Sequence, residues 1–306
     1  MDKKLVALVG PTAVGKSEMA LRLAQKFDGE IVGADSRQVY RRLDIGTAKP
    51  RAEILSQVSH HLINIIEPDE SFSLAEYQVL AYEKIAEIQA RHHLPLLVGG
   101  SGQYVWAVLE GWQIPLVPPD PSFRQELEEF ASYNPDALYG KLMELDPEAA
   151  TKIDRHNIRR VIRALEIRRD KKVDISDDSR RKALPFETII IGLTADRTEL
   201  YHWIDERIDR MIASGFIEEV NDLLKTGYSE SLPALSGIGY RQICRYLKNE
   251  ISLDEAVRQA KSETHRYARQ QYNWFSLQDW RIQWFNIRES PQTAIEEMVA
   301  RFLEVA

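Results

Sequence analysis

The stretch that decides the fold is GPTAVGKS, Gly10–Ser17, which follows the apolar run KLVALVG and precedes the helix-like stretch EMALRLAQKF. It satisfies every fixed position of the phosphate-binding pattern G-x-x-x-x-G-K-[ST], in the strand–loop–helix context that this pattern requires. The backbone N–H groups can turn toward one anion, the lysine adds positive charge, and the serine hydroxyl can ligate Mg²⁺. The residues predicted to bind a di- or triphosphate are Gly10, Pro11, Thr12, Ala13, Val14, Gly15, Lys16 and Ser17.

Strand-length apolar runs recur along the chain, and helical patterns separate the early ones. The runs are KLVALVG (4–10), EIVGAD (30–35), HLINII (61–66), LPLLVG (94–99), TIIIGL (188–193) and RIQWFNI (281–287). This alternation predicts an α/β fold, a P-loop parallel sheet flanked by helices. Ligands of such sheets bind at the carboxyl ends of the strands, where GPTAVGKS, DSRQVY and GGSGQY are expected to lie.

The proline-rich run IPLVPPDP (114–121) interrupts this alternation. Helical, charged sequence follows until LPFETIIIGLTAD restores a strand, and more helical patterns come after it. We therefore predict a catalytic α/β core from residues 1–114 and 186–306, with a helical C-terminal region. Residues 115–185 are predicted to form a helical insertion domain.

The bulk composition is that of a globular protein, with 44% apolar and 28% charged residues among 306. The apolar runs are too short to span a bilayer, and the N-terminus lacks a signal-peptide pattern. The single cysteine, Cys244, excludes a disulfide framework and favours a reducing, cytoplasmic location. The net charge of −7 conceals a basic segment, residues 151–182, with twelve basic and six acidic residues. Such a local stripe can bind the phosphates of a nucleic acid.

Asp35 ends the second predicted strand and allows three interpretations. It could ligate Mg²⁺, it could take a proton from an incoming nucleophile, or it could cap a turn. The neighbouring Ser36, Arg37 and Gln38 supply hydrogen-bond donors and acceptors suited to a planar polar ligand. The residues alone leave these interpretations open.

Seven segments in order resemble the motifs of the tRNA dimethylallyltransferase family, also called tRNA isopentenyltransferases. After GPTAVGKS they are DSRQVYRRLDIGTAKP (35–50), LLVGGSGQYVWAVLEG (96–111), LDPEAATKIDRHNIRRVIRALEI (145–167), RIDRMIASGFIEEV (207–220), ALSGIGYRQI (234–243) and HRYARQQYNWF (265–275). The resemblance extends from about residue 4 to residue 275. Some eukaryotic members of this family append a zinc finger, which one cysteine cannot build, so the chain resembles the bacterial type.

This resemblance implies transfer of a dimethylallyl group from its diphosphate to the exocyclic amine of an adenine in tRNA. In the family that adenine lies next to the anticodon, on its 3′ side, and Mg²⁺ is the cofactor. By resemblance, Arg210 joins Thr12, Lys16 and Ser17 in holding the diphosphate. Asp35 would accept the proton of the amine, and Ser101 would lie beside the acceptor base.

The resemblance also implies a surface that contacts the anticodon stem-loop. Arg159, Arg160 and Arg163 have helical spacing that places them on one face. The full set expected to contact tRNA is Asp35, Ser36, Arg37, Gln38, Ser101, Arg124, Arg159, Arg160, Val161, Ile162, Arg163, Tyr240, Arg241 and Gln242. Nothing in the sequence demands a dimer, and a monomer is expected.

Three other functions would use the same loop. A related enzyme that prenylates free adenine nucleotides would share the phosphate loop and Asp35 but would need no surface for an anticodon stem. A P-loop kinase would turn over ATP and leaves IGTAKP and GIGYRQ unexplained. A non-catalytic RNA-binding protein would have no use for an intact Lys16, Ser17 and Asp35.

Overall fold

The computed structural model describes residues 3–115, 117–169 and 183–304. The chain divides into two compact units, Met1–Gly111 with Ala183–Ala306, and Trp112–Lys182. The strands of the first unit are β1 (Lys4–Val9), β2 (Gly29–Ala34), β3 (His60–His61), β4 (Leu94–Gly99), β5 (Glu187–Thr194) and β6 (Ile282–Asn286). Its helices are α1 (Lys16–Lys26), α2 (Ala52–Leu55), α3 (Leu74–Ala90), α4 (Gly102–Leu109), α9 (Arg197–Ala213), α10 (Phe216–Lys225), α11 (Tyr240–Leu247), α12 (Leu253–Trp274) and α13 (Gln292–Glu304).

All six strands form one parallel sheet in the order β3-β2-β4-β1-β5-β6, which confirms the predicted α/β class. Every residue of β1 is buried, as expected for a central strand of a sheet covered by helices. Because β2, β4 and β1 are neighbours with the same direction, their carboxyl ends lie side by side. Ala34 and Gly99, the last residues of β2 and β4, are register partners.

The predicted strand at 61–66 is mostly wrong, since only its first residue is in β3. Leu62 and Asn64 have φ of 61° and 53°, in the left-handed region, and these angles end the extended chain. The segment then pairs with the turn after β2 instead: the N–H of Asn64 donates to the carbonyl of Gln38 at 3.0 Å. The segment that was predicted as a strand therefore supports the DSRQVY turn through this backbone hydrogen bond.

The second unit is helical, with α5 (Pro121–Tyr133), α6 (Pro135–Leu145), α7 (Pro147–Lys152) and α8 (Ile158–Arg169). Asp120, Asn134 and Asp146 each precede a proline that begins a helix, and each side chain accepts a backbone N–H of the first turn. This pairing suits helix starts, because proline has no N–H to satisfy there. Its core consists of Leu127, Ala131, Leu138, Leu142, Ala150, Val161, Ile162 and Leu165.

Two further points concern membrane-spanning helices and the extent of the described residues. Throughout the described ranges, no helix combines the length and the apolar character needed to cross a membrane. Leu116 and residues 170–182, which belong to the predicted insertion, lie outside the described residues, as does the corresponding part of the basic segment.

The sharp turn out of β1 depends on Gly10. Its φ is +141°, and a Cβ there would lie 2.3 Å from the carbonyl oxygen of Leu193 on β5. We expect Gly10→Ala to lower the free energy of unfolding by about 1–3 kcal/mol, because the alanine must strain or displace the loop. Gly140→Ala, in α6 with nothing within 4 Å, is the matched control and should raise stability by about 1 kcal/mol. Urea unfolding of both variants measures this, and wild-type stability in Gly10→Ala would contradict it.

Candidate active site

The P-loop leaves β1 and ends where α1 begins at Lys16. Positive φ angles at Ala13 (66°) and Gly15 (94°) curl the loop. The Lys16 ammonium donates to the carbonyl oxygens of Gly10 at 2.9 Å and Pro11 at 2.7 Å. Beside it a cavity of about 620 Å³, here called the P-loop cavity, is lined by residues that include Lys16 and the exposed Ser17.

Lys16 lies in a positive and poorly solvated environment. Burial and the nearby Arg207 guanidinium lower the pKa of Lys16 to about 7, against the opposing effect of the Asp35 carboxylate. Burial also lowers the pKa of Arg207, and Arg210 adds to this effect. A phosphorylated ligand would bring negative charge that balances the positive charge of these side chains.

Arg207 is a site residue that the sequence prediction missed. The predicted Arg210 lines the P-loop cavity but is exposed, with its guanidinium 3.8 Å from the Glu206 carboxylate. Arg207 lies one helical turn earlier on α9 and also lines the P-loop cavity. Its guanidinium is close enough to Lys16 to lower the pKa of that lysine. The signal was present in the sequence, because arginines at i and i+3 share one face of a helix.

Asp35 follows β2, where it stabilises a turn and also lines the P-loop cavity. Its Oδ1 accepts the backbone N–H of Arg37 at 2.8 Å and of Gln38 at 3.4 Å. Among the described residues, its other oxygen, Oδ2, receives no recorded hydrogen bond. One oxygen therefore fixes the turn and leaves the second for a ligand.

Ser101 follows β4 and contacts the segment after β2. Its Oγ accepts the backbone N–H of Ser36 at 3.0 Å. The predicted meeting of strand ends is therefore confirmed for β2 and β4, through Ser36 and Ser101.

A second cavity of about 390 Å³ adjoins the first and is lined by both apolar and charged side chains. It is here called the apolar cavity after the apolar side chains that helices α9 to α12 contribute to it. Its lining includes Ile204 and Ile208 of α9, Phe216 of α10, Ile243 of α11 and Ala260 of α12. Four residues line both cavities: Thr12, Asp35, Arg207 and Tyr267. Asp35 thus lies where the P-loop cavity meets the apolar cavity.

Gln271 on α12 connects two of the strand ends and was also missed. Its side chain is 3% exposed, its Oε1 accepts the N–H of Thr12 at 2.8 Å, and its Nε2 donates to the carbonyl of Gly100 at 2.9 Å. HRYARQQYNWF gave no local signal for this role. Only the docking of α12 against the sheet creates it.

The IGTAKP segment is held by a carboxylate of α10. Glu219 accepts the backbone N–H groups of Asp44 at 2.9 Å, Ile45 at 2.7 Å and Gly46 at 3.2 Å. The Tyr240 hydroxyl donates to the same carboxylate at 2.6 Å. Tyr240, expected at the tRNA surface, therefore supports this loop from a buried position, where its ring also lines the apolar cavity.

Two residues beside Tyr240 differ in exposure. The Gln242 side chain is 1% exposed and its Oε1 accepts the N–H of Gly239 at 2.8 Å. The structure thus places Gln242, expected to contact RNA, in a buried helix cap, and its contact with RNA stays a prediction. Arg241 is exposed and pairs with Glu263 at 2.5 Å.

The insertion arginines fall into two groups. Arg124 and Arg163 both pair with the buried Glu166 carboxylate, at 2.7 and 2.5 Å. Together these three residues form an internal ion-pair cluster. Arg159 and Arg160 are exposed, and no ion pair joins either to another described residue.

Val161 and Ile162 lie on the buried face of α8. Their side chains are 0% and 3% exposed and belong to the core of the insertion. The structure therefore places these two residues in the core, and their expected contact with tRNA stays a prediction. On the same helix, Arg159 and Arg160 are exposed.

Taken together, the fold and the site define a P-loop α/β protein whose loop after β1 borders two adjoining cavities. The family model described as "IPP transferase" matches residues 38–278, and the chain belongs to this family. The chain is 52% identical over 272 residues to a tRNA dimethylallyltransferase of Roseiflexus sp. (strain RS-1), covering 89% of each chain. It is 46% identical over 300 residues to that of Dehalococcoides mccartyi, covering 98% of this chain and 92% of the relative. The chain is thus a transferase of the tRNA dimethylallyltransferase family.

Two solved structures resemble the whole chain. The full-length tRNA isopentenylpyrophosphate transferase of Bacillus halodurans has a TM-score of 0.73 at 40% identity, covering 99% of this chain and 97% of that one. A eukaryotic dimethylallyltransferase described as acting on tRNA has a TM-score of 0.78 at 26% identity, covering 93% and 74%.

The lowered pKa of Lys16 predicts a proton uptake when diphosphate binds. Above a pH of about 7 the free lysine is mostly neutral, and a bound anion raises its pKa, so binding takes up a proton there. Below that pH the lysine is already charged, and the uptake disappears. Titration calorimetry of inorganic diphosphate in two buffers of different ionisation enthalpy measures it. Lys16→Arg, which stays charged, is the control, and equal uptake in both proteins would contradict the prediction.

Proposed function

We propose that this chain transfers a dimethylallyl group from dimethylallyl diphosphate to the exocyclic amine of an adenine in tRNA, releasing diphosphate. The observation that carries the proposal is the position of Asp35 where the P-loop cavity meets the apolar cavity. A donor with an anionic head and an apolar tail fits such a junction. The names of the relatives supply the acceptor, tRNA.

The P-loop and Arg207 would hold the diphosphate. The leaving group gains negative charge as the carbon–oxygen bond breaks, and preorganised cations stabilise that charge. Lys16 and Arg207 line the cavity together, and Arg210 lies at its exposed side. Thr12 would contribute through a loop that Gln271 fixes.

Mg²⁺ is the proposed cofactor. It is bound in enzymes by few protein oxygens, by waters and by substrate phosphates. The Ser17 hydroxyl and the Asp35 carboxylate line the same cavity, and the described residues contain no cluster of three or more metal-ligating side chains. These residues fit an ion held largely by the substrate. Such an ion would neutralise charge on the departing diphosphate.

Asp35 would act as the general base. The adenine amine forms a bond to the allylic carbon, the carbon–oxygen bond to diphosphate breaks, and the amine proton moves to the carboxylate. Ser101, held against Ser36, would lie beside the base. The adenine must leave its stack to reach this position, at a cost of a few kcal/mol.

The acceptor is proposed to be the adenine 3′-adjacent to the anticodon. The insertion, with its exposed Arg159 and Arg160, is proposed to contact the stem-loop. The protein is proposed to act as a monomer in the cytoplasm.

The direct test is incubation of the chain with Mg²⁺, dimethylallyl diphosphate and unmodified tRNA, with AMP and ATP in parallel. Mass spectrometry detects the transferred group. The proposal expects product on tRNA alone. Prenylated AMP or ATP beside unmodified tRNA would replace it with the free-nucleotide activity, and phosphoryl transfer would indicate a kinase.

Asp35→Asn should lower turnover by about 10²–10⁴-fold, because the amide cannot accept the proton. The amide oxygen can still accept the N–H of Arg37, so the turn should survive. Asp209→Asn, an exposed α9 position paired with Lys261, is the control and should keep wild-type turnover. Single-turnover kinetics with saturating tRNA measure this. Wild-type turnover in Asp35→Asn would remove Asp35 from the mechanism.

The double variant Arg159→Ala/Arg160→Ala should weaken tRNA binding and flatten its salt dependence. Each lost phosphate contact reduces the slope of log K against log salt by about 0.7–0.9. Arg301→Ala, an exposed position of α13, is the control and should leave the slope unchanged. Filter binding over a salt series measures it, and an unchanged slope in the double variant would argue against phosphate contacts there.

A further inference from the structure

Tyr267 of α12 occupies the junction of the two cavities. It is one of the four residues that line both, and of those four it alone carries an aromatic ring. Thr12, Asp35 and Arg207 contribute polar or charged groups to the same boundary. The ring is half-buried.

The Tyr267 ring lies beside two residues of the site. The side chains of Ser101 and Gln271 are close to the Tyr267 hydroxyl and oppose the rise in its pKa. Gln271 lies one helical turn further along α12 and is bonded to the P-loop and to Gly100, while Ser101 is bonded to Ser36. Burial and the Asp35 carboxylate raise the pKa of Tyr267 to about 12, so the hydroxyl stays protonated.

The proposed reaction makes this boundary chemically important. As the carbon–oxygen bond breaks, the allylic carbon becomes electrophilic, and water competes with the adenine amine for it. Attack by water forms a carbon–oxygen bond, releases a proton to solvent, and yields dimethylallyl alcohol and diphosphate. A closed site suppresses such hydrolysis.

We propose that Tyr267 is a positioning residue whose ring closes the junction to water and so sets the partition of the dimethylallyl group between tRNA and water. The proposal rests on the proposed function and goes beyond it by assigning the control of a side reaction. Beyond the ring, the apolar side chains of Ile204 and Ala260 line the apolar cavity.

The test measures the molar ratio of dimethylallyl alcohol to prenylated tRNA, using isotope-labelled dimethylallyl diphosphate, Mg²⁺ and unmodified tRNA. The alcohol formed without enzyme is measured in parallel and subtracted. Misfolding then lowers both enzymatic products equally, so the ratio reports the site and not the folded fraction. Tyr267→Ala removes the ring and should raise the ratio by about tenfold or more. Tyr267→Phe keeps the ring and should remain close to the wild-type ratio.

Tyr272 on the same helix provides the matched control. It is half-buried, its hydroxyl is 2.8 Å from Thr194 Oγ1, and it lines neither cavity. Tyr272→Ala and Tyr272→Phe should keep the wild-type ratio. A wild-type ratio in Tyr267→Ala, or a ratio in Tyr267→Phe as high as in Tyr267→Ala, would overturn the shielding role. A wild-type protein that never prenylates tRNA would overturn the proposed function itself.

Discussion

The parallel alignment of β2, β4 and β1 is the constraint on which the site depends. It places the P-loop, the Asp35 turn and Ser101 at one edge of the sheet, although they are far apart in the sequence. Side chains from the helices hold the loops at this edge in place. Gln271 joins two strand ends, and Glu219 holds the IGTAKP loop through three backbone N–H groups.

Two buried cations lie close together at this edge. Burial lowers the pKa of both Lys16 and Arg207, and the Asp35 carboxylate opposes the shift in both. Such perturbed pKa values cluster at functional sites. In the proposed reaction, the same cations would bind the diphosphate and would favour its departure as the leaving group.

The sequence predicted what local patterns determine. The strand–loop–helix motif and the apolar runs were sufficient for the sheet and for the proximity of Asp35 and Ser101. The run HLINII failed because Leu62 and Asn64 adopt left-handed φ angles that its apolar pattern does not reveal. Gln271 could not be found, since its role exists only after α12 docks on the sheet.

The insertion is a second place where the sequence pattern did not predict the contacts of the side chains. Spacing alone placed Arg159, Arg160 and Arg163 on one face, yet Arg163 pairs with Glu166 and only the other two are exposed without a described ion-pair partner. Arg163 and Glu166 are one helical turn apart, so their spacing was visible in the sequence, but the burial of Glu166 and its second partner Arg124 on α5 were not. A charge pattern in one helix does not contain that information.

In the proposed reaction, Asp35 lies between the anionic and the apolar part of one bound substrate. A crystal structure with the thiolodiphosphate analogue, in which sulfur replaces the scissile oxygen, measures this most directly. We expect the diphosphate oxygens on the P-loop and Arg207, with the allylic carbon within reach of the Asp35 carboxylate. An analogue whose apolar chain stays in the P-loop cavity, beside His60 and Pro50 and out of reach of Asp35, would contradict this expectation.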